Sequence, residues 1–366
     1  MTNGNDGRNG NGIRDTHVVK YVPLDRPIDV IKDVPLLSDG KTTVKNARKG
    51  IGRILDGQDS RRLLVVGPCS IHDIESAKEY ADMLNSLRES VEDGILIVMR
   101  TYFEKPRTTT GWKGMINDPC LDESYEINEG LRLARSLLVR NAELGIPNGT
   151  ELLGTIIAQY LADGVSWGAL GARSVEDQEH RELFSALSMP VGLKNGTNGS
   201  VDTAIDAIVA VNHPGHRFAG TNQYGEPCIV VGKGNRYAHV VLRGGNGSAN
   251  YDKGSVEETQ AKLGNRGLPE NVMVDCSHGN SRKDYSKQPE VFEEVLKQIV
   301  DGNSGIIGWM LESNIYESSQ KIPTDLKGFD RTKLEYGKSV TDSCIGWDTT
   351  ERLVREAYRA LQRRSH

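Results

Sequence analysis

Eight short apolar runs, each ending in or running straight into a residue suited to chemistry, set the tightest limit on how this chain folds. LLVVGPC closes on Cys69, ILIVMR on Arg100, NGTELL carries Glu151 and WGALGAR ends at Arg173. PVGLK ends at Lys194, HVVLR at Arg243, NVMVDCSH runs on to His278 and IIGWMLE ends at Glu312. Buried β-rich runs separated by longer amphipathic stretches predict parallel strands with helical crossovers. Eight such units predict an α/β protein of the (β/α)8 barrel type, whose active site forms where the strand C-termini meet. A thiol, an imidazole, carboxylates and several cations at those tips point to a metal beside an anion site.

At 366 residues the chain has room for one large barrel with additions, or for two smaller domains. A hydrophobic share of 37% with 26% charged residues fits a soluble globular protein. The net charge of −5 supplies no overall basicity for nucleic acid or an anionic membrane. No apolar run approaches the roughly 18 residues that span a bilayer. The opening MTNGNDGRNGNG lacks the apolar core of a secretory signal, and Cys69, Cys120, Cys228, Cys276 and Cys344 are too scattered for a disulfide framework. A cytoplasmic protein is expected.

Residues 1–16 are rich in Asn, Gly and Asp and are expected to be disordered. Residues 17–60 form an N-terminal extension, with a β-like run at His17–Pro23 and a helix from about Thr42 to Leu55. Such an extension suits contacts in a homo-oligomer, a dimer or tetramer. Residues 61–366 form the catalytic barrel. A hairpin at 216–232, turned near Gly225, is inserted before the sixth barrel strand. The loop YFEKPRTTTGWKGMINDPCLD after strand two is too long for a simple connection and is expected to be functional. A helix to about residue 162 is predicted after strand three.

Cys69, His278, Glu312 and Asp342 form the candidate metal set: a thiolate, an imidazole and two carboxylates suit a divalent transition metal. Singly, each is more often a small buried cysteine or a satisfied polar group than a ligand. Their shared placement at one barrel face makes them a set. Arg100, Lys105, Arg173, Lys194 and Arg243 are five cations at or beside strand ends, where charge is costly unless a partner meets it. Together they suit a multiply charged anion, with the arginines pairing to phosphate or carboxylate. Arg107 and Thr108, a cation beside a hydroxyl, fit a second phosphate. GGNG at 244–247 lacks the lysine of a P-loop, and SHGNS at 277–281 lacks a nucleophile elbow.

The strings GPCSIHD (67–73), MRTYFEKPRTT (99–109), GWKGMINDP (111–119), SWGALGAR (166–173), KNGT (194–197), LRGG (242–245), DCSHGNS (275–281), MLES (310–313) and TDSCIGW (341–347) run in order along the chain. Together they closely resemble the phenylalanine/tyrosine-regulated type of 3-deoxy-D-arabino-heptulosonate 7-phosphate (DAHP) synthase. The resemblance implies a (β/α)8 barrel with an N-terminal extension and an inserted hairpin. It implies condensation of phosphoenolpyruvate with erythrose 4-phosphate at the entry to the shikimate pathway, using a divalent metal, manganese first, with iron, cobalt and zinc as alternatives. It also implies metal ligands Cys69, His278, Glu312 and Asp342, with Cys69, His278 and Lys105 in the catalytic centre. Arg100, Lys105, Glu151, Arg173, Lys194, Arg243 and His278 would surround phosphoenolpyruvate, and Arg107 and Thr108 would hold the aldehyde's phosphate.

The chain departs from that pattern after Glu151. It reads LLGTIIAQY, with Gly154 where the family usually carries Asp and Ala158 where it usually carries Pro. Gly164 stands where a larger apolar residue is usual. The resemblance assigns this segment to the pocket for a feedback-inhibiting aromatic amino acid. Gly154 offers no carboxylate, and Ala158 frees a backbone that Pro would fix. Weakened feedback inhibition is the expectation, against drift in a pocket that still binds Phe or Tyr. Two other readings are a related synthase taking a modified aldehyde, such as an amino sugar, and a non-catalytic regulatory paralogue. The intact KPRT string disfavours the first, and the intact ligand and cation set disfavours the second.

Overall fold

The computed structural model describes residues 13–364, so residues 1–12, most of the expected disordered tail, lie outside the described residues. The eight apolar runs form one closed, parallel barrel. The first five strands are β1 (Arg62–Gly67), β2 (Ile95–Arg100), β3 (Asn148–Glu151), β4 (Trp167–Leu170) and β5 (Val191–Lys194). An antiparallel hairpin of β6 (Arg217–Thr221) and β7 (Pro227–Val231) interrupts the series at the expected place. Strands β8 (Ala238–Leu242), β9 (Val272–Asp275) and β10 (Ile306–Glu312) complete the barrel, and β10 pairs with β1 to close it.

Helices α1 (Pro27–Asp33) and α2 (Ser38–Leu55) precede the barrel. Crossovers α3 (Ile74–Glu89), α4 (Ile127–Leu144), α5 (Ala158–Leu161), α6 (Gln178–Ala186), α7 (Asp202–Asn212), α8 (Lys253–Asn265), α9 (Gln288–Val300) and α10 (Trp347–Arg364) follow the barrel strands in turn. Several begin at a carboxylate that accepts a backbone N–H of the first turn. Asp73 caps α3, Asp177 caps α6 and Asp252 caps α8.

The strands read as unbroken apolar runs because both of their faces are buried. Leu63, Val65, Leu96 and Val98 point inward to a cluster with Trp167, Met273 and Met310. The alternate residues Leu64, Val66, Ile95 and Ile97 join the layer beneath the helices. Ile51, Ile54 and Leu55 at the end of α2 enter the inner cluster and plug the N-terminal end of the barrel. Chemistry is thereby confined to the opposite end. At Gly308 a Cβ would lie 1.7 Å from the Leu63 carbonyl oxygen, so only glycine lets β10 close against β1 there.

The long loop after β2 is folded on itself. Lys105 N–H donates to the Lys113 carbonyl at 2.8 Å, and buried Trp112 donates Nε1–H to the Asp118 carbonyl at 2.8 Å. Three expectations need correction. His17–Pro23 forms no strand; Val19, Tyr21 and Val22 are exposed, with no strand among the described residues beside them. The extension holds a further helix, α1, with Pro27 in its first turn. Helix α5 is a single turn, continued by a 3₁₀ turn at Ala162–Gly164 rather than filling the expected span.

Candidate active site at the barrel mouth

Pro68 follows β1 and turns the chain so that Cys69 lies buried over the barrel end. Glu312 is the last residue of β10, and Asp342 enters from the loop after it, its carbonyl accepting from Ser339 Oγ at 2.8 Å. Donor atoms of Cys69, Glu312 and Asp342 all lie within 4.8 Å of one another. His278, just beyond β9, approaches this trio through Glu312: its Nε2 is 3.7 Å from Glu312 Oε1. A soft sulfur, two carboxylates and an adjacent imidazole are a donor set that fits a divalent transition metal.

Cations thread this cluster. Lys105 Nζ is 2.8 Å from Cys69 Sγ and 3.8 Å from Asp342 Oδ2. Arg100 is fully buried; its Nη2 donates to Glu312 Oε1 at 3.0 Å and its guanidinium lies 3.9 Å from the Tyr102 ring centre. Burial, together with the Glu312 and Asp342 charges, pushes the Cys69 thiol up to about 11, against the opposing pull of Lys105. Burial alone would lower Lys105, but Cys69, Glu312 and Asp342 outweigh it and hold the ammonium charged. A divalent cation held among these donors would favour the thiolate.

Beside the cluster a cavity of about 310 Å³ opens to solvent, a size suited to a small phosphorylated ligand. Lys105, Arg107, Thr108, Glu151, Arg173, Lys194, Arg243, His278 and Asp342 line it, so nine of the expected residues meet on one surface. Arg173 Nη2 donates to Thr108 Oγ1 at 3.2 Å, which joins the anion cage to the loop expected to hold the second phosphate. Cys69, Arg100 and Glu312 lie in the buried layer next to this surface instead.

Sequence reasoning missed the supports. Gln288 clamps Glu312, donating Nε2–H to its carbonyl and accepting its N–H, both at 2.9 Å. Asn195 Oδ1 accepts the Arg243 N–H at 2.8 Å, and Lys283 joins the cavity wall from the loop after His278. Asp275 sits beneath both His278 and Lys194. Gln288, Asn195 and Asp275 meet Glu312, Arg243 and Lys194 from distant parts of the chain, so no local pattern marks these contacts.

The expected inhibitor segment divides. Ala158 is buried and lines a second cavity of about 530 Å³ between α5, α6 and the hairpin, beside Glu179, Leu183, Phe218 and Val230. Gly154 faces the other way: its N–H and that of Leu153 donate to Glu104 Oε2, each at 3.3 Å. Gly164 lies against Leu138, where a Cβ would meet Leu138 Cβ at 3.2 Å.

A closed parallel barrel with a thiol–carboxylate cluster and a cation-lined cavity at its C-terminal mouth defines a TIM-barrel enzyme that handles a phosphorylated anion. The chain belongs to the DAHP synthetase I family, whose family model matches residues 39–355. It is 47% identical to the Phe-sensitive phospho-2-dehydro-3-deoxyheptonate aldolase of Escherichia coli, over 96% of this chain and 98% of that one. It is 43% identical to the phenylalanine-inhibited enzyme of that name from Saccharomyces cerevisiae, over 93% and 92% of the two chains. The solved structure of the Francisella tularensis phospho-2-dehydro-3-deoxyheptonate aldolase superposes with a TM-score of 0.90 at 45% identity, covering 94% of this chain and 98% of that chain.

Proposed function

We propose that the chain is a DAHP synthase that joins phosphoenolpyruvate, D-erythrose 4-phosphate and water to give DAHP and phosphate. The observation that carries this reading is the single cavity in which Lys105, Arg173, Lys194 and Arg243 converge beside the Cys69, Glu312 and Asp342 cluster. Cys69, His278, Glu312 and Asp342 would hold a divalent cation, manganese before iron, cobalt or zinc, which supplies Lewis acidity to the aldehyde oxygen. Arg173, Lys194 and Arg243 bind the phosphate and carboxylate of phosphoenolpyruvate, and Arg100 adds positive charge from the layer beneath. Arg107 and Thr108 take the phosphate of the aldehyde and set its carbonyl against the methylene carbon.

The new C–C bond forms between that methylene carbon and the aldehyde carbon, while water adds at the second carbon of phosphoenolpyruvate beside Glu151. Lys105 delivers a proton to the developing alkoxide oxygen. Cleavage of the C–O bond in the phosphohemiketal then releases phosphate. The test is phosphate release with erythrose 4-phosphate, with an amino-sugar analogue and with EDTA. Activity with the ordinary aldehyde, lost in EDTA and regained on adding manganese, is expected. Preference for the amino sugar, or no turnover with any aldehyde, would overturn the reading.

Weakened feedback inhibition belongs to the same proposal and is supported by Ala158 in the wall of the second cavity. Half-inhibition by low micromolar Phe, Tyr or Trp would rule it out. We further assign residues 17–60 as an extension that makes homo-oligomer contacts and residues 61–366 as the catalytic unit. The exposed side chains of Val19, Tyr21 and Val22 support that division. A cytoplasmic location is part of the same reading. No helix among the described residues is long and apolar enough to cross a membrane.

A further inference from the structure

Asp275 ends β9 with a fully buried side chain, and the reaction as proposed assigns it no part. Its two carboxylate oxygens have separate tasks. Oδ1 accepts from Ser277 N–H at 3.0 Å and from Ser277 Oγ–H at 2.7 Å. Oδ2 lies 2.9 Å from His278 Nδ1 and 3.3 Å from Lys194 Nζ. Neither of the Oδ2 contacts is aligned as a hydrogen bond, so this oxygen acts on both groups through its charge.

Ser277 completes the geometry. Its oxygen is 2.7 Å from His278 Nδ1, and its only hydroxyl hydrogen is already given to Asp275 Oδ1. Toward the imidazole it therefore accepts, which places the hydrogen on Nδ1 and leaves Nε2 as the lone-pair donor on the Glu312 side. A carboxylate behind a ligating histidine fixes ring orientation and raises donor strength. The same charge lies against Lys194, a cation of the phosphoenolpyruvate cage.

We propose that Asp275 is a positioning residue shared by the two halves of the site. It sets the tautomer and aim of His278 for the metal and holds Lys194 in place for phosphoenolpyruvate. This rests on the metal and phosphoenolpyruvate assignments above. The bland alternative is that Asp275 only neutralises a buried lysine. The two differ in what happens to the metal.

The test begins with the wild-type protein. Nitrogen-15 NMR of the His278 ring should show a protonated Nδ1 in the metal-free protein, and a protonated Nε2 would overturn the proposal. Asp275→Asn keeps the shape and removes the charge. Competition against a chromophoric chelator should then show manganese binding weakened about 10–100-fold, and the KM for phosphoenolpyruvate should rise more than that for erythrose 4-phosphate. Lys194→Met added to Asp275→Asn should leave the metal defect in place; rescue of metal binding by that second change would reduce Asp275 to a neutraliser. Cys69→Ala is the control. If it loses metal while Asp275→Asn binds metal and phosphoenolpyruvate as wild type does, Asp275 alone is misassigned. If Cys69→Ala binds metal normally, the metal-site reading fails and takes this inference with it.

Discussion

Lys105 Nζ lies 2.8 Å from Cys69 Sγ, so the proposed proton donor and the proposed thiolate ligand are in direct contact. The loop that carries Lys105 also carries Arg107 and Thr108, and its backbone is pinned at Lys105 by the bond to Lys113. One short, braced segment therefore touches the proposed metal donors Cys69 and Asp342 through Lys105 and the proposed anion cage through the bond between Thr108 and Arg173.

Lys105→Met should lower kcat by about 10²–10⁴-fold, the usual worth of a positioned acid. The four proposed donors remain, so metal content should stay near stoichiometric. Turnover at saturating substrates together with metal analysis checks both halves. A variant turning over at the wild-type rate would remove Lys105 from the proton path.

Arg100→Met breaks a fully buried ion pair and strands the Glu312 carboxylate. Losing one partner of such a pair costs about 3–5 kcal/mol. A divalent cation at Glu312 would restore part of the missing charge. Manganese should therefore raise the Tm of this variant by more than it raises that of the wild type, relative to each in EDTA. Equal shifts in the two proteins would argue against Glu312 as a ligand.

The eight strand tips were legible because a closed parallel barrel buries both faces of every strand, leaving charge at the ends alone. Cys69, Glu312 and Asp342 could be placed on one face, and the structure brings their donor atoms together. Asp275 and Gln288 were not legible. Asp275 reads as a strand residue like any other until Lys194 is set beside it, and Gln288 opens a helix until β10 returns to meet it. The run His17–Pro23 misled for the opposite reason. Its β-favouring residues satisfy a local pattern, but no strand among the described residues pairs with them.

Acid stability should be set in part by two buried imidazoles. Burial lowers His72 to about 4, against a smaller opposing effect of Asp73. Burial likewise lowers His239 to about 4, where its Nε2 accepts from Trp167 Nε1–H at 3.2 Å. In the unfolded chain both protonate near the ordinary histidine value of about 6.5. Between those values the unfolded state binds more protons, so stability rises with pH and is lost as pH falls from about 6.5 toward 4. Each histidine accounts for up to about 3 kcal/mol across that window. His239→Gln keeps an acceptor for Trp167 and removes the titration, so its unfolding free energy should fall less steeply from pH 7 to 4.5. Parallel acid limbs would clear His239 of the effect.

If inhibition is weakened as proposed, introducing Asp at Gly154 or Pro at Ala158 singly should not bring it back. At Gly154 a Cβ would lie 2.5 Å from Ile157 Cγ1 and 3.4 Å from Glu104 Oε1. An aspartate there would crowd Ile157 and set a second carboxylate beside Glu104, whose own pKa burial already raises. At Ala158 the obstacle is the preceding residue. Ile157 has φ −63° and ψ −30°, the helical conformation that a following proline disfavours. Gly154, Ile157 and Ala158 thus share one backbone path that neither replacement alone can adopt without moving it. Gly154→Asp and Ala158→Pro should each lower the Tm and leave activity insensitive to Phe and Tyr. A single replacement that conferred inhibition at micromolar Phe or Tyr without loss of Tm would overturn this account of the proposed weakening.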